Sequence, residues 1–466
     1  MIKLACKYFF ITCKGEIMEG KNTLTPIHNF LLKNNEDCKV RCYMPGHKGY
    51  ENSMDITETP GADSLYEADT LSPNRGIIAQ SELIASRIYG TKKTLYSCSG
   101  STLAIQTMLA LAKAKGKGRD HVVAGRYSHR SFINACILLG LVPTWAYPKE
   151  YMSCDISTYE IKNRITDRTM AVFINSIDYY GNMSDIKAIS ELCKKHCIPL
   201  LVDNAHGAYL KFTDFDRHPI TLGADMCADS AHKTLPVLTG GAYLHIGNER
   251  YCDSAKETMA LFGTSSPSYL ILDSLDRFNA AVCEKPDHIR NLVAKINELK
   301  SFIKSAGYVL SKSDDMRITF DCPAMFTTGQ RFAYELDQFG VTCEYADTYR
   351  CVLLFGWHTT DQDLETLRMV FSKGAMQKPS LFNIPKPPPM FRTIMASPPA
   401  VAYGKMKQTM NIENAEGKIC GSVIAPCPPG VPLLMPGEAI TREAVEILME
   451  QGVKQIDVAM GIHNAF

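Results

Sequence analysis

Three short segments place groups capable of chemistry just past apolar runs. Ala228-Asp-Ser-Ala-His-Lys-Thr234 holds a lysine, Lys233, with Ser230 and His232 beside it. Leu200-Leu-Val-Asp-Asn-Ala-His-Gly207 carries Asp203 where an apolar run ends, followed by His206. Leu95-Tyr-Ser-Cys-Ser-Gly-Ser-Thr102 is a small, Gly-containing turn leading into a helical pattern. A lysine beside a neighbour that lowers its charge becomes a nucleophile. A carboxylate buried at a strand end is costly unless something cationic or hydrogen-bonding meets it. Hydroxyls and free backbone N–H groups at a helix start hold phosphate. Taken singly, each segment has an ordinary explanation. Ser101 or Thr102 can serve only as an N-cap, Asp203 as a cap or metal ligand, His206 as a core imidazole and Lys233 as a solvated amine.

One ligand requires all three at once: a phosphate holder, an acid that keeps a pyridine nitrogen protonated, and a lysine that forms an imine. That ligand is pyridoxal 5′-phosphate. Ser230 and His232 fall where they can also reach the phosphate, and the flat imidazole of His129, in Arg126-Tyr-Ser-His-Arg-Ser131, can stack on the ring.

The elements that must position these groups follow from periodicity. From about residue 77 to 245, amphipathic patterns alternate with short apolar runs, as in βαβ units around a mostly parallel sheet. Helices are expected at 77–89 and 102–113, and strands at 94–97, 122–124, 170–175, 199–203, 224–229 and 241–245. Most of these runs are too apolar for one-sided burial, so the sheet is covered on both faces. A charged helix at 287–306 opens a smaller α+β section with strands at 317–320 and 351–355 and helices near 330–339 and 360–371. Prolines then cluster over 378–400, and a last helix is expected at 441–451. The division is an N-terminal leader and arm (1–65), a cofactor domain (66–285), a small domain (286–377) and a Pro-rich connector with a C-terminal domain (378–466). The chain has 466 residues, 45% apolar and 21% charged, which excludes a small module and wholesale disorder. A net charge of +1 sets up no field for nucleic acid or anionic lipid, so the partner is a small molecule.

No apolar run is long enough to span a bilayer, Lys7 interrupts the apolar stretch from Leu4 to Thr12, and Met18 opens a more ordinary start, so residues 1–17 read as a leader. The seventeen cysteines are scattered and odd in number, which fits reduced thiols and a cytoplasmic protein. Cys38 and Cys42, and Cys193 and Cys197, have metal-like spacing without the second pair a zinc site needs; no metal is expected. Cys193 and Cys197 read as half-buried residues on one helix face.

With Met44-Pro-Gly-His-Lys-Gly49, Asp55-Ile-Thr-Glu-Thr-Pro-Gly61, Pro428-Pro-Gly-Val-Pro432 and Pro436-Gly-Glu438, the three segments resemble the fold-type I pyridoxal-phosphate enzymes of the Orn/Lys/Arg decarboxylase family, over about residues 22–455. The resemblance is to the short form without the N-terminal wing domain, and so without the wing-bearing enzymes' decamers. It implies an α/β, aspartate-aminotransferase-like fold with a seven-stranded sheet, a smaller α+β domain and a C-terminal segment. It implies decarboxylation of arginine, lysine or ornithine to agmatine, cadaverine or putrescine, in polyamine metabolism. By the same resemblance Lys233 forms the imine, with His232 before it; Asp203 pairs the pyridine nitrogen, with His206 nearby; and His129 stacks on the ring. Gly100, Ser101, Thr102 and Ser230 hold the phosphate. Thr264, Ser265 and Ser266 reach the phosphate of a second subunit, implying a homodimer with shared sites, with a dimer of dimers as a further assembly. His232, His129 or Lys233 returns the proton to the α-carbon. Asp63, Glu67, Asp69 and Glu438 are candidate carboxylates for the substrate's distal cation, with a plain surface role as the alternative for each. Cys427 stands where an aromatic often precedes Pro-Pro-Gly, and Asn204 follows Asp203 where Glu or Ser is common; both bear on substrate choice.

Three other readings share the motif. A cysteine desulfurase needs a mobile cysteine downstream, for which Cys322, Cys343 and Cys351 are the candidates. An aminotransferase needs an arginine clamp and leaves the Pro-Gly-His-Lys and Pro-Pro-Gly segments unexplained. A catalytically silent cofactor-binding paralogue is the third.

Overall fold

The seven strands β1 (Lys93–Ser97), β2 (His121–Gly125), β3 (Val142–Ala146), β4 (Thr169–Asn175), β5 (Leu200–Asp203), β6 (Met226–Asp229) and β7 (Ala242–Ile246) make one mostly parallel sheet in a computed structural model. The structure describes residues 24–37, 40–42, 44–49, 54, 76–372, 392–425 and 431–462. The chain divides into two compact units, each assembled from segments far apart in sequence.

The first unit comprises residues 1–111, 201–298 and 355–364. Its strands run in the order β1-β7-β6-β5. Helix α1 (Pro26–Asp37) precedes α2 (Ile77–Tyr89), which buries Ile78, Ile84, Ile88 and Tyr89 on its apolar face. Gly90 ends α2 in the left-handed region at φ 71°, where a side chain is strained, and its N–H returns to the Ser86 carbonyl. The turn sends the chain into β1. Strands β5, β6 and β7 are buried along their whole length, as continuous apolar runs require. β7 is antiparallel to both β1 and β6, with Tyr243 opposite Tyr96 and Asp229. Periodicity could not show this reversal, because a strand buried on both faces looks the same in either direction. Helix α3 (Gly100–Ala114) follows β1.

The second unit comprises residues 112–200, 299–354 and 365–466. β4, β2 and β3 lie in that order, with β2 parallel to both neighbours. Helix α4 (Arg130–Leu139) buries Phe132, whose ring stacks on Phe173 at 4.4 Å. A small antiparallel sheet orders β8 (Arg317–Asp321), β10 (Arg350–Leu354) and β9 (Tyr345–Ala346), and β11 (Lys407–Asn411) pairs with β12 (Gln455–Ala459). The expected helices and strands stand within a few residues of their expected bounds. Additions include α1, β3, α4, the helix Tyr269–Glu284 and the β11–β12 pair: β3 is interrupted by Pro143, and β11 is mostly exposed.

The cysteine pair on one helix face needs correcting. Cys193 is buried in the helix Ile186–Lys195, but Cys197 lies past its end, exposed and at φ 52°. Cys38 lies outside the described residues. No helix among the described residues is long and apolar enough to cross a membrane.

Candidate active site

The carboxyl ends of β5 and β6, adjacent parallel strands, carry the two central groups of the first unit. Ligands of open parallel sheets collect at such ends. Asp203 closes β5, is nearly fully buried, and accepts the Ala205 N–H at 3.0 Å, which fixes the turn that follows. β6 ends at Asp229, and one helical turn, Ala231–Thr234, presents Lys233. Lys233 Nζ lies 3.0 Å from His206 Nε2, so the amine of one strand end meets the imidazole of the other. Behind the lysine, Thr234 O accepts the Trp357 N–H at 2.9 Å, tying this turn to the 355–364 segment.

His232 faces the returning strand. Its Nδ1–H donates to Gly241 O at 3.0 Å, which puts the neutral ring's proton on Nδ1. Burial lowers its pKa, the Gly241 hydrogen bond partly opposes this, and the neighbouring Lys233 adds to the lowering.

The phosphate-type turn is built at the start of α3. Gly100 sits at φ 66° with nothing within 4 Å of where a Cβ would stand, and its N–H bonds to Gly240 O at 2.8 Å. The Ser97 hydroxyl closes the turn on Gly100 O at 2.8 Å. Ser101 and Thr102 occupy the first helical turn, and the Ser230 hydroxyl donates to Ser101 Oγ at 2.9 Å, joining the end of β6 to this helix start. A pyridoxal phosphate fits this set: a phosphate needs a helix N-terminus, hydroxyls and open space, a pyridinium needs a buried carboxylate, and an aldehyde needs an amine. Gly100, Ser101, Thr102, Ser230, Asp203, His206 and Lys233 supply them.

His129 belongs to the second unit, beyond the end of β2, where it caps α4. Its Nδ1 accepts the Ser131 N–H at 3.2 Å, so the cap orients the ring. Thr264, Ser265 and Ser266 are exposed on the loop before Tyr269, with the Ser266 N–H bonded to Thr264 Oγ1 at 3.1 Å. His47 and Lys48 are described, with the Gly49 N–H bonded to His47 Nδ1 at 3.0 Å. Asp63, Glu67, Asp69, Cys427 and residues 428–430 lie outside the described residues.

Glu438 is neither a surface group nor free to bind a substrate. It is fully buried within the second unit and accepts from Trp145 Nε1 at 2.8 Å, Thr393 Oγ1 at 2.5 Å and the Met435 N–H at 2.9 Å. Arg126 Nη2 lies 3.6 Å from it and donates to the Leu433 carbonyl, while Nη1 donates to the Pro432 carbonyl. The Pro-Gly-Glu motif thus anchors the C-terminal segment. Sequence reasoning missed Arg126 in this role, and missed Asp229, whose position before Ser230 at an apolar strand end was the available signal. Cys322 and Cys351 are buried beside and within the small sheet, and burial pushes the Cys322 thiol up to about 12. Neither has the exposed, low-pKa setting of a reactive thiol, whereas Cys343 is half-buried and the hydrogen bond from the Cys351 thiol lowers its pKa.

The model of the Orn/Lys/Arg decarboxylase major domain matches residues 25–335, and that of the family's C-terminal domain matches residues 390–450. Arginine decarboxylase of Bacillus subtilis is 24% identical over 94% of this chain and 95% of its own, and that of Bacillus anthracis 26% over 91% and 92%. Among solved structures, lysine decarboxylase A of Pseudomonas aeruginosa superimposes with a TM-score of 0.74 at 17% identity, covering 94% of this chain and 81% of that one. The matched domains span most of the chain and the fold is that of these enzymes, so the protein belongs to the Orn/Lys/Arg decarboxylase family and is a pyridoxal-phosphate-dependent amino acid decarboxylase.

Proposed function

We propose that the protein decarboxylates arginine to agmatine and carbon dioxide, with lysine and ornithine as the competing basic substrates. The observation that carries the site is the Lys233–His206 pair at 3.0 Å, beside buried Asp203 and the Ser230–Ser101 bridge. Arginine is placed first because relatives matched over nine-tenths of both chains are named arginine decarboxylases.

Pyridoxal phosphate bound here supplies an electron sink for the charge left on the substrate's α-carbon when its carboxylate leaves. Asp203 would hold the pyridine nitrogen protonated, and the α3 N-terminus with Ser101, Thr102 and Ser230 would hold the phosphate. His206 would orient the Lys233 amine, its Nε2 3.0 Å from Nζ. By the family resemblance His129 would cover the ring. The Nδ1–H of His232 is committed to Gly241, which favours Lys233 as the group that would return the proton to the α-carbon, with His129 as the alternative. Thr264, Ser265 and Ser266, exposed in one protomer, complete the phosphate site of a second copy in a homodimer.

Incubating the purified protein with each basic amino acid and identifying the amine by mass tests this reading. Agmatine formation is expected to dominate. Cadaverine or putrescine as the main product overturns the arginine assignment, and no amine from any of the three overturns the basic-substrate reading.

A further inference from the structure

Asp229, the last residue of β6, is fully buried immediately before Ser230. Its Oδ1 accepts from Asn204 Nδ2 at 2.8 Å and from the Cys227 thiol at 3.2 Å. Its Oδ2 accepts from His218 Nε2 at 3.0 Å, and His245 Nε2 stands 3.5 Å away. The Ile220 N–H reaches His218 Nδ1 at 3.4 Å, which puts the neutral ring's proton on Nε2, aimed at Asp229. Burial pushes the Asp229 carboxyl up, but His218 and His245 outweigh it and hold the group well below the usual carboxylate range. The ring of Tyr89 lies 4.3 Å from that of His245 and 5.3 Å from that of His218, closing the cluster with aromatic carbon. One His and one Asp atom close to a second His is also a metal-type arrangement. The Asn204 amide on Oδ1 and the His218 ring on Oδ2 make it a hydrogen-bonded hub as well.

Asn204 is bound twice to β6, by its N–H to Ala228 O at 2.9 Å and by its side chain to Asp229. Gly207 folds against it, its N–H on Asn204 O at 2.8 Å; a Cβ there would stand 2.1 Å from Asn204 Oδ1. The residue that departs from the family's usual Glu or Ser is thus committed to the turn between Asp203 and His206, away from substrate choice.

We infer that Asp229 is a positioning residue for the cofactor site: through Asn204 it fixes the turn carrying Asp203 and His206, and through its own backbone the strand end carrying Ser230 and Lys233. The inference rests on the assignment of Asp203, His206 and Lys233 proposed above. The test uses the full chain with Asp229→Asn, Asn204→Ala and the double variant, reading the dissociation constant of pyridoxal phosphate and the visible circular dichroism band of the bound cofactor. Each single variant is expected to weaken binding by about tenfold, as loss of a hydrogen bond to a charged group does, and to shift the band. The double variant should do no more than the worse single one. Cys227→Ala, which removes a donor without touching either turn, leaves the band in place. Unchanged affinity and band in Asp229→Asn, or fully additive losses, overturn the inference. So does one equivalent of a transition metal retained through chelator dialysis by the unmodified protein and lost from Asp229→Asn. If Asp229→Asn does not fold, Asn204→Ser carries the same readouts. A Lys233→Ala variant that still forms a borohydride-stable adduct with the cofactor overturns the site assignment itself, separately from the role of Asp229.

Discussion

Asp276 makes the stability of the first unit fall as pH rises toward neutrality. It lies in helix α5 (Tyr269–Glu284), where its Oδ1 accepts the Ser81 hydroxyl at 2.5 Å and its Oδ2 accepts the His28 N–H of α1 at 2.9 Å. Burial, the largest influence, pushes its pKa from 3.8 to about 7; the Ser81 and His28 hydrogen bonds oppose this, and Asp273 adds to it. The folded protein therefore holds this proton more tightly than the unfolded chain. Its stabilising contribution is fully present below about pH 4 and is lost as pH rises through about 7. Between those values the slope is about 1.4 kcal/mol per pH unit, so the whole range spans on the order of 4 kcal/mol. Asp276→Asn keeps the shape, holds the site neutral at every pH and removes that slope. The assay is urea unfolding from pH 5 to 7.5 with amide exchange of α1, whose first turn the carboxyl holds. The unmodified protein should lose about 2–3 kcal/mol more than the variant over that interval. Parallel pH profiles for the two proteins, or a variant that is the more pH-sensitive, would refute the reasoning. Asp178, pushed up to about 6 by burial, leaves a residual slope of the same sign in both.

Other outcomes follow from the site and its supports. Lys233→Ala is expected to abolish amine formation and borohydride-stable attachment of the cofactor, while far-ultraviolet circular dichroism stays unchanged. Arg126→Met leaves Glu438 buried without its cation and should cost about 3–5 kcal/mol in thermal or urea unfolding; Arg126→Met with Glu438→Gln recovers part of that. Ser265→Trp on the exposed 264–266 loop is expected to weaken both dimerisation, by light scattering, and pyridoxal phosphate affinity; loss of neither would remove this loop from the partner's site.

The elements were legible wherever burial imposes a period. β4, β5 and β6 appear as apolar runs because both faces of the sheet are covered, and α2 shows in the spacing of Ile78, Ile84 and Ile88 before Gly90. Lys233, Asp203 and the Ser99-Gly100-Ser101-Thr102 turn were legible as a set, because one cofactor demands an amine, an acid and a phosphate holder together. Residue types and order along the chain thus determined the chemistry and the family. Only the tertiary structure decided which polar groups meet. Lys233 faces His206 because β5 and β6 lie side by side, and Asn204 serves Asp229 rather than a substrate. Glu438, a candidate for the substrate's cation, is instead held by Trp145, Thr393 and Arg126. The direction of β7, which brings Gly241 O to His232, was equally hidden. Hydrophobic periodicity reports burial, which is a property of a segment, whereas a hydrogen bond is a property of two segments and exists only after the strands have chosen their neighbours.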